Sequence, residues 1–211
     1  MDRREHLGAG PEHWNTVHGK RRPEELTWFE ATPRRSLELI ERSGGTTVSR
    51  VLDVGGGSSR LCDALIEAGF LGVTVVDISA AALAHVRARL AGAVGRVTLV
   101  EADAGAHRGD RPFDVWHDRA MFHFLLEDSE RERYVAAMKA NLAPRGHAVI
   151  ATFGLRGPEM CSGLPVCRYG PGSLGAALGD WLEPLAFEDE MHATPAGGAQ
   201  HFVYGLFRRN D

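Results

Sequence analysis

From about residue 50 to residue 153, strand-like and helix-like segments alternate along the chain, which constrains the fold more than any other feature. Arg50–Val54 is a short β-branched run that stops at Gly55, Gly56 and Gly57. Ser58 or Ser59 is expected to cap a helix with Leu61, Cys62, Leu65 and Ile66 on its apolar face, closed by Gly69. Val73–Val76 reads as a second strand, and Ser79 as the cap of a helix carrying Leu83, Val86 and Leu90 and ending at Gly92. Val97–Val100 and Phe113–Trp116 are the third and fourth strands. Ser129-x-x-Glu132 has the spacing of a capping box for a helix with Tyr134, Val135, Met138 and Leu142, and Pro144-Arg145-Gly146 turns the chain into a fifth strand, His147–Phe153. Parallel strands require crossovers, so this order predicts an α/β fold with helices on both faces of a mainly parallel sheet.

The flanks read differently. Residues 11–43 contain Trp14, Trp28 and Phe29 and a helix opened by Thr32-Pro33, with Leu37 and Ile40 inward. The tail reads as two strands, Pro184–His192 and Gln200–Phe207, around a turn at Pro195–Gly198. Between them, residues 154–180 are rich in Gly and Pro, with a weak helix near 173–179.

In such sheets ligands bind beyond the carboxyl ends of the strands. Asp53, Asp77, Asp103 and Asp118 fall there, one at each of four successive strand ends. The glycine loop lets backbone and helix N-terminus approach a ligand, a signal shared by several nucleotide-derived cofactors. Two details discriminate among them. The run Gly55-x-Gly57-x-x-Arg60 lacks the third glycine of the dinucleotide fingerprint. Asp53 stands two residues before the loop, where a carboxylate repels a diphosphate and attracts an ammonium. That favours S-adenosylmethionine over NAD or FAD. Asp77 is then placed for the ribose hydroxyls and Asp103 for the adenine amino group, with Ala102 and Ala104 leaving room for the ring. The plain alternative is that these acids cap turns and helices.

Composition sets outer bounds. A chain of 211 residues suits one domain or one domain with a short cap, and 44% hydrophobic with 25% charged residues supports a sizeable core. A net charge of −4 removes the composition case for nucleic acid. No apolar run approaches the ~20 residues of a membrane span, and the opening residues have no signal-peptide character. Three cysteines do not make a disulfide scaffold, so a soluble enzyme in a reducing cytoplasm is expected.

The segments VLDVGGGSS, VVDIS and EAD together resemble the cofactor loop, ribose-binding strand end and adenine segment of class I S-adenosylmethionine-dependent methyltransferases. The resemblance implies a doubly wound, Rossmann-like sheet of about seven strands with an antiparallel last strand. It also implies a helical cap over residues 1–45 and a methyltransferase domain over 46–211. Asp53, Gly55, Gly57, Asp77, Ile78, Asp103, Ala104, His117 and Trp28 would surround the cofactor, with Phe29 beside Trp28. Gly56 departs from the family, where Cys or another residue is frequent, and the departure is expected to matter little.

On the acceptor side, FDVWHDRAMFHF is similar to two branches of that family: the thiopurine and tellurite type, and the seven-strand protein-lysine type. The N-terminal Trp-containing segment resembles the latter. Asp118 and His123 are the first candidates for orienting the acceptor or taking its proton, and Cys161 for contacting a soft nucleophile. Against this, Asp118 could pair with Arg119, His123 could line a helix, and Cys161 could be core. Cys167, His192 and His201 are possible partners of Cys161, but the six-residue offset of the cysteines is no zinc-finger spacing, and no metal is expected. The acceptor expected is a small thiol, metalloid or amine, with protein lysine as the alternative. From another class, a nucleotide-binding protein or an NAD-dependent reductase remains open.

Overall fold

The computed structural model describes residues 6–93 and 95–211. Seven strands form one sheet: β1 (Arg50–Val54), β2 (Gly72–Asp77), β3 (Val97–Glu101), β4 (Phe113–Arg119), β5 (Leu142–Phe153) and, after a short hairpin, β8 (Leu182–Ala193) and β9 (Ala199–Arg209). The hairpin pairs β6 (Met160–Cys161) with β7 (Leu164–Pro165). Strand order is β3-β2-β1-β4-β5-β9-β8. The first five strands run parallel, and β9 is antiparallel to both neighbours, as expected for the last strand. Helix α1 is Pro11–Lys20, α2 Arg34–Arg42, α3 Leu61–Glu67, α4 Ala80–Arg89, α5 Asp128–Asn141 and α6 Pro171–Leu178.

Strand alternation divides the core into two layers. Val51 and Val115 face Leu39 and Ile40 of α2, Leu61 and Leu65 of α3, and Leu83 and Val86 of α4. Leu52 and Trp116 face Tyr134 and Met138 of α5 and Leu174 and Leu178 of α6. Thus α2, assigned with the N-terminal cap on sequence, packs into the same layer as α3 and α4. No helix among the described residues is long and apolar enough to cross a membrane.

Several boundaries differ from expectation for local reasons. Helix α5 opens at Glu127, not Ser129: Glu130 Oε2 accepts from Leu126 N–H at 2.9 Å and Glu127 N–H at 3.1 Å, so the box lies two residues earlier. Leu142, expected on that helix, already belongs to β5, and Arg145 at φ 59° takes the irregular position. Ser79 Oγ caps α4 as expected, accepting from Ala82 N–H at 3.1 Å. Ser59 Oγ accepts from Leu61 N–H at 3.1 Å, while the residue flanking α3 is Arg60. The largest consequence comes from β4, which runs three residues past Trp116. His117, Asp118 and Arg119 therefore alternate between the two faces instead of sharing a loop.

Candidate active site

One cavity lies across the carboxyl edge of the sheet, from the residues after β3 to those after β4 and β5. Asp53, Gly55, Gly57, Asp77, Ile78, Asp103, Ala104, His117, Trp28 and Phe29 all line it, as does Cys161. Asp118 and His123 do not.

The loop after β1 is tight. Gly55 has φ 61°, and a Cβ there would come within 2.7 Å of the Met121 side chain. Gly56 proves more constrained than expected: its Cβ would stand 2.5 Å from Asp53 Oδ2 and 2.7 Å from Val75. The Asp53 carboxylate occupies the space that a side chain at position 56 would need. Gly56→Ala is accordingly expected to displace Asp53 and weaken S-adenosylhomocysteine at least ~10-fold, the scale of one charge-assisted hydrogen bond, as isothermal titration calorimetry would read.

Asp53 is 2% exposed. Its Oδ1 accepts from His117 Nδ1–H at 2.7 Å, and no hydrogen bond to Oδ2 from a described residue is present. Asp77 is also buried. Its Oδ2 accepts from Gly57 N–H at 2.8 Å and its Oδ1 from Ser79 N–H at 2.7 Å, pinning the loop to the start of α4. Burial pushes its carboxyl up to about 6, and the Asp53 charge adds to the shift, against the two backbone donors. Asp103 accepts from Leu7 N–H at 2.6 Å and Gly105 N–H at 2.8 Å.

Residues 6–30 form a roof. Leu7, Trp14, His18, Leu26, Trp28 and Glu30 line the cavity from above. Asn15 Oδ1 accepts from Ser79 Oγ–H at 2.9 Å and Ala81 N–H at 3.0 Å, joining α1 to α4. Arg119 Nη1–H donates to the Trp28 carbonyl at 2.9 Å, and His192 Nε2–H donates to the Thr27 carbonyl at 2.9 Å. His192 was expected at the end of the first of the two terminal strands. It lies there, in β8, and is buried beneath the roof.

Glu30 and Arg119 form a cluster beside Cys161 that sequence reasoning did not assemble. Arg119 Nε lies 3.2 Å from Glu30 Oε2 and donates to Tyr204 Oη at 2.9 Å, with its guanidinium over the Phe202 ring. Burial pushes the Glu30 carboxyl up, opposed by the Arg119 charge. The cavity thus offers a carboxylate of raised proton affinity on its β4–β5 side. The only relevant signal in the sequence was Glu30 following Trp28-Phe29; its partner stands 89 residues on.

Cys161 reaches the cavity because the β6–β7 hairpin folds back over it. Burial pushes its thiol up to about 11, so it is protonated at neutral pH. It does not gather with Cys167, His192 or His201 into a ligand set. Among the described residues metal-type ligands cluster only as Glu30, Glu190 and His192, and Arg119 and Arg35 already stand beside those two carboxylates.

The two candidates outside the cavity have structural partners. Asp118 points to the α5 face, the opposite side of the sheet from Asp53. It accepts from Tyr134 Oη–H at 2.6 Å, Met121 N–H at 2.9 Å and Phe122 N–H at 3.1 Å. His123 sits in a short 3₁₀ turn, stacked near Phe124 and Phe153, and its Nδ1 accepts from Phe153 N–H at 3.2 Å. Burial pushes its pKa down to about 3, which removes it as a proton acceptor near neutrality.

The sheet order is that of a doubly wound α/β protein, with a carboxylate standing before a three-glycine loop at the carboxyl edge. Residues 51–146 match the family model described as a methyltransferase domain. No curated protein matches the sequence. Among solved structures, the chain is similar to one reported for the conversion of a disulfide bond into a thioacetal group during echinomycin biosynthesis, at 20% identity and TM-score 0.75, covering 95% of this chain and 93% of that one. It is also similar to the N-methyltransferase NodS from Bradyrhizobium japonicum WM9 in complex with S-adenosylhomocysteine, at 14% identity and TM-score 0.71, covering 94% of this chain and 100% of that one. A third is the Burkholderia thailandensis 1,6-didemethyltoxoflavin N1-methyltransferase with its substrate and S-adenosylhomocysteine, at 22% identity and TM-score 0.72, covering 96% and 92%. At these identities the likeness is one of fold. The match to a methyltransferase domain thus covers the stretch from β1 to the turn within β5, and the solved structures share the fold of the whole chain.

Proposed function

We propose that the chain moves the methyl group of S-adenosylmethionine to a nucleophile on a small-molecule acceptor. The observation that carries this reading is the roof: it covers the cavity with Trp14, Trp28 and Phe29, and its carbonyls are bonded to Arg119 and His192. An aromatic, covered cavity suits a compact acceptor better than a protein side chain on a bulky partner. Support also comes from the toxoflavin-type structure, which binds a small heterocycle.

In this reading Asp53 and the Gly55–Gly57 loop take the amino-acid tail, Asp77 the ribose, and Ile78, Asp103 and Ala104 surround the adenine. His117 and Trp28 stand near the sulfur. When bound, the sulfonium supplies the methyl group for an in-line displacement, and the chain's task is to align the acceptor and exclude water. The roof excludes water. Glu30, with its raised proton affinity, is the group suited to take an acceptor proton, while Arg119 orients it and Cys161 contributes a neutral thiol to the wall. Asp118 and His123 hold the strand end and the following turn and touch neither reactant.

Thermal denaturation with ligands tests the donor: S-adenosylhomocysteine should raise the melting temperature and NAD should not, and the reverse result overturns the reading. Turnover on panels of thiols, metalloids, small amines and protein lysines tests the acceptor. Methylation confined to protein lysine would refute the small-molecule assignment. On an accepted substrate, Glu30→Gln should lower kcat by about 10²-fold, within the usual contribution of a general base.

A further inference from the structure

His117 is buried between two partners: Nδ1–H donates to Asp53 Oδ1 at 2.7 Å, and Nε2 accepts from Ser36 Oγ–H at 2.8 Å. Ser36, His117 and Asp53 are 1%, 2% and 2% exposed, so the row lies out of bulk water where hydrogen bonds are strong and directional. Because a carboxylate only accepts, the Nδ1 position must carry the proton, and the hydroxyl from α2 supplies the ring's other contact. The row fixes which oxygen of Asp53 remains. Oδ2 is left toward Gly56, beneath the loop, without a donor from the described residues. Asp53 lines the cavity, so this oxygen is the acceptor left for a cationic or N–H donor of a ligand.

We propose that His117 is a positioning residue that serves the amino-acid tail of the methyl donor through Asp53, with Ser36 as its anchor on α2. The proposal rests on the reading of this cavity as the donor site. His117 turns the Asp53 carboxylate so that Oδ2 meets the ammonium. The absence of a side chain at Gly56 is the other half of the same arrangement: a Cβ there would stand 2.5 Å from Oδ2 and push it aside.

The experiment compares two probes by isothermal titration calorimetry. S-adenosylhomocysteine carries the amino-acid tail; 5′-methylthioadenosine keeps the adenosine and thioether but lacks the tail. His117→Leu should weaken S-adenosylhomocysteine about 10-fold or more, the scale of a charge-assisted hydrogen bond, and change methylthioadenosine less than about twofold. His117→Asn, which returns an amide N–H near the Nδ1 position, should recover a measurable part of the loss. Ser36→Ala should give a smaller loss with the same selectivity. Equal weakening of both probes would mean general loosening of the site and would overturn the proposal, as would no change in either. If His117→Leu does not fold, Ser36→Ala and His117→Asn are judged by the same selectivity. Failure of the wild-type chain to bind S-adenosylhomocysteine would instead strike the donor-site reading.

Discussion

Replacing Asp77 with alanine is expected to weaken S-adenosylhomocysteine by about a hundredfold or more, measured as Kd by calorimetry. A carboxylate has about four lone-pair sites, and two of them at Asp77 are filled by the amides of Gly57 and Ser79. The remaining pair suits a vicinal diol. Each charge-assisted hydrogen bond contributes about 1.5–3 kcal/mol, so losing two amounts to roughly 10²–10⁴ in affinity. Asp77→Asn keeps the shape but removes the charge and should fall between. The pH dependence has a definite sign. Burial holds the Asp77 carboxyl at about 6, and the protonated form is the poorer acceptor, so affinity should rise with pH through about 6 and level above it. The free protein should respond oppositely. Between the ordinary 3.8 and about 6 the folded state holds this proton more tightly than the unfolded chain, so this group's contribution to stability falls as pH rises across that window. Affinity that stays flat down to pH 5 would refute the assignment.

Asp118→Ala should act on stability instead, lowering the urea-unfolding free energy by about 3–5 kcal/mol, the scale for stripping a buried charged partner from its donors. Three donors converge on this carboxylate, and Tyr134 Oη itself accepts from Trp116 Nε1–H at 2.8 Å, so the loss passes along a chain in the α5 layer. Tyr134→Phe should cost less, about 1–3 kcal/mol, because it strands only the indole N–H and one lone pair. It should also leave S-adenosylhomocysteine affinity within about twofold. A catalytic Asp118 would give the reverse pattern, with stability intact and turnover lost. Purified Asp118→Asn with native stability and turnover lowered a hundredfold would therefore return Asp118 to the reaction.

The sheet was legible in the sequence because its strands are β-branched runs ended by glycines and acids, and because each crossover carries a helical period. Strand ends were less legible. The extension of β4 to Arg119 depends on pairing with β5, from Ala148 to Ala151, which local pattern does not contain. That extension separates His117 from Asp118 by one step of alternation and sends them to opposite faces, which explains how Asp53, His117 and Ser36 meet while Asp118 meets Tyr134. That the residues after β1, β2 and β3 share one cavity was readable because they follow single strands in order. The Glu30 cluster was not: Glu30, Arg119 and Tyr204 meet only once the C-terminal hairpin is in place, and no spacing encodes such a junction.

The roof's fastenings have a consequence for the order of assembly. Leu7, Thr27 and Trp28 are tied to Asp103, His192 and Arg119, partners 96, 165 and 91 residues distant along the chain. During synthesis the roof leaves the ribosome before its anchors do, and the His192 anchor follows Thr27 by 165 residues. The roof is thus among the last parts to dock, and until β8 is released a nascent chain can carry the glycine loop without being able to shut it away from water.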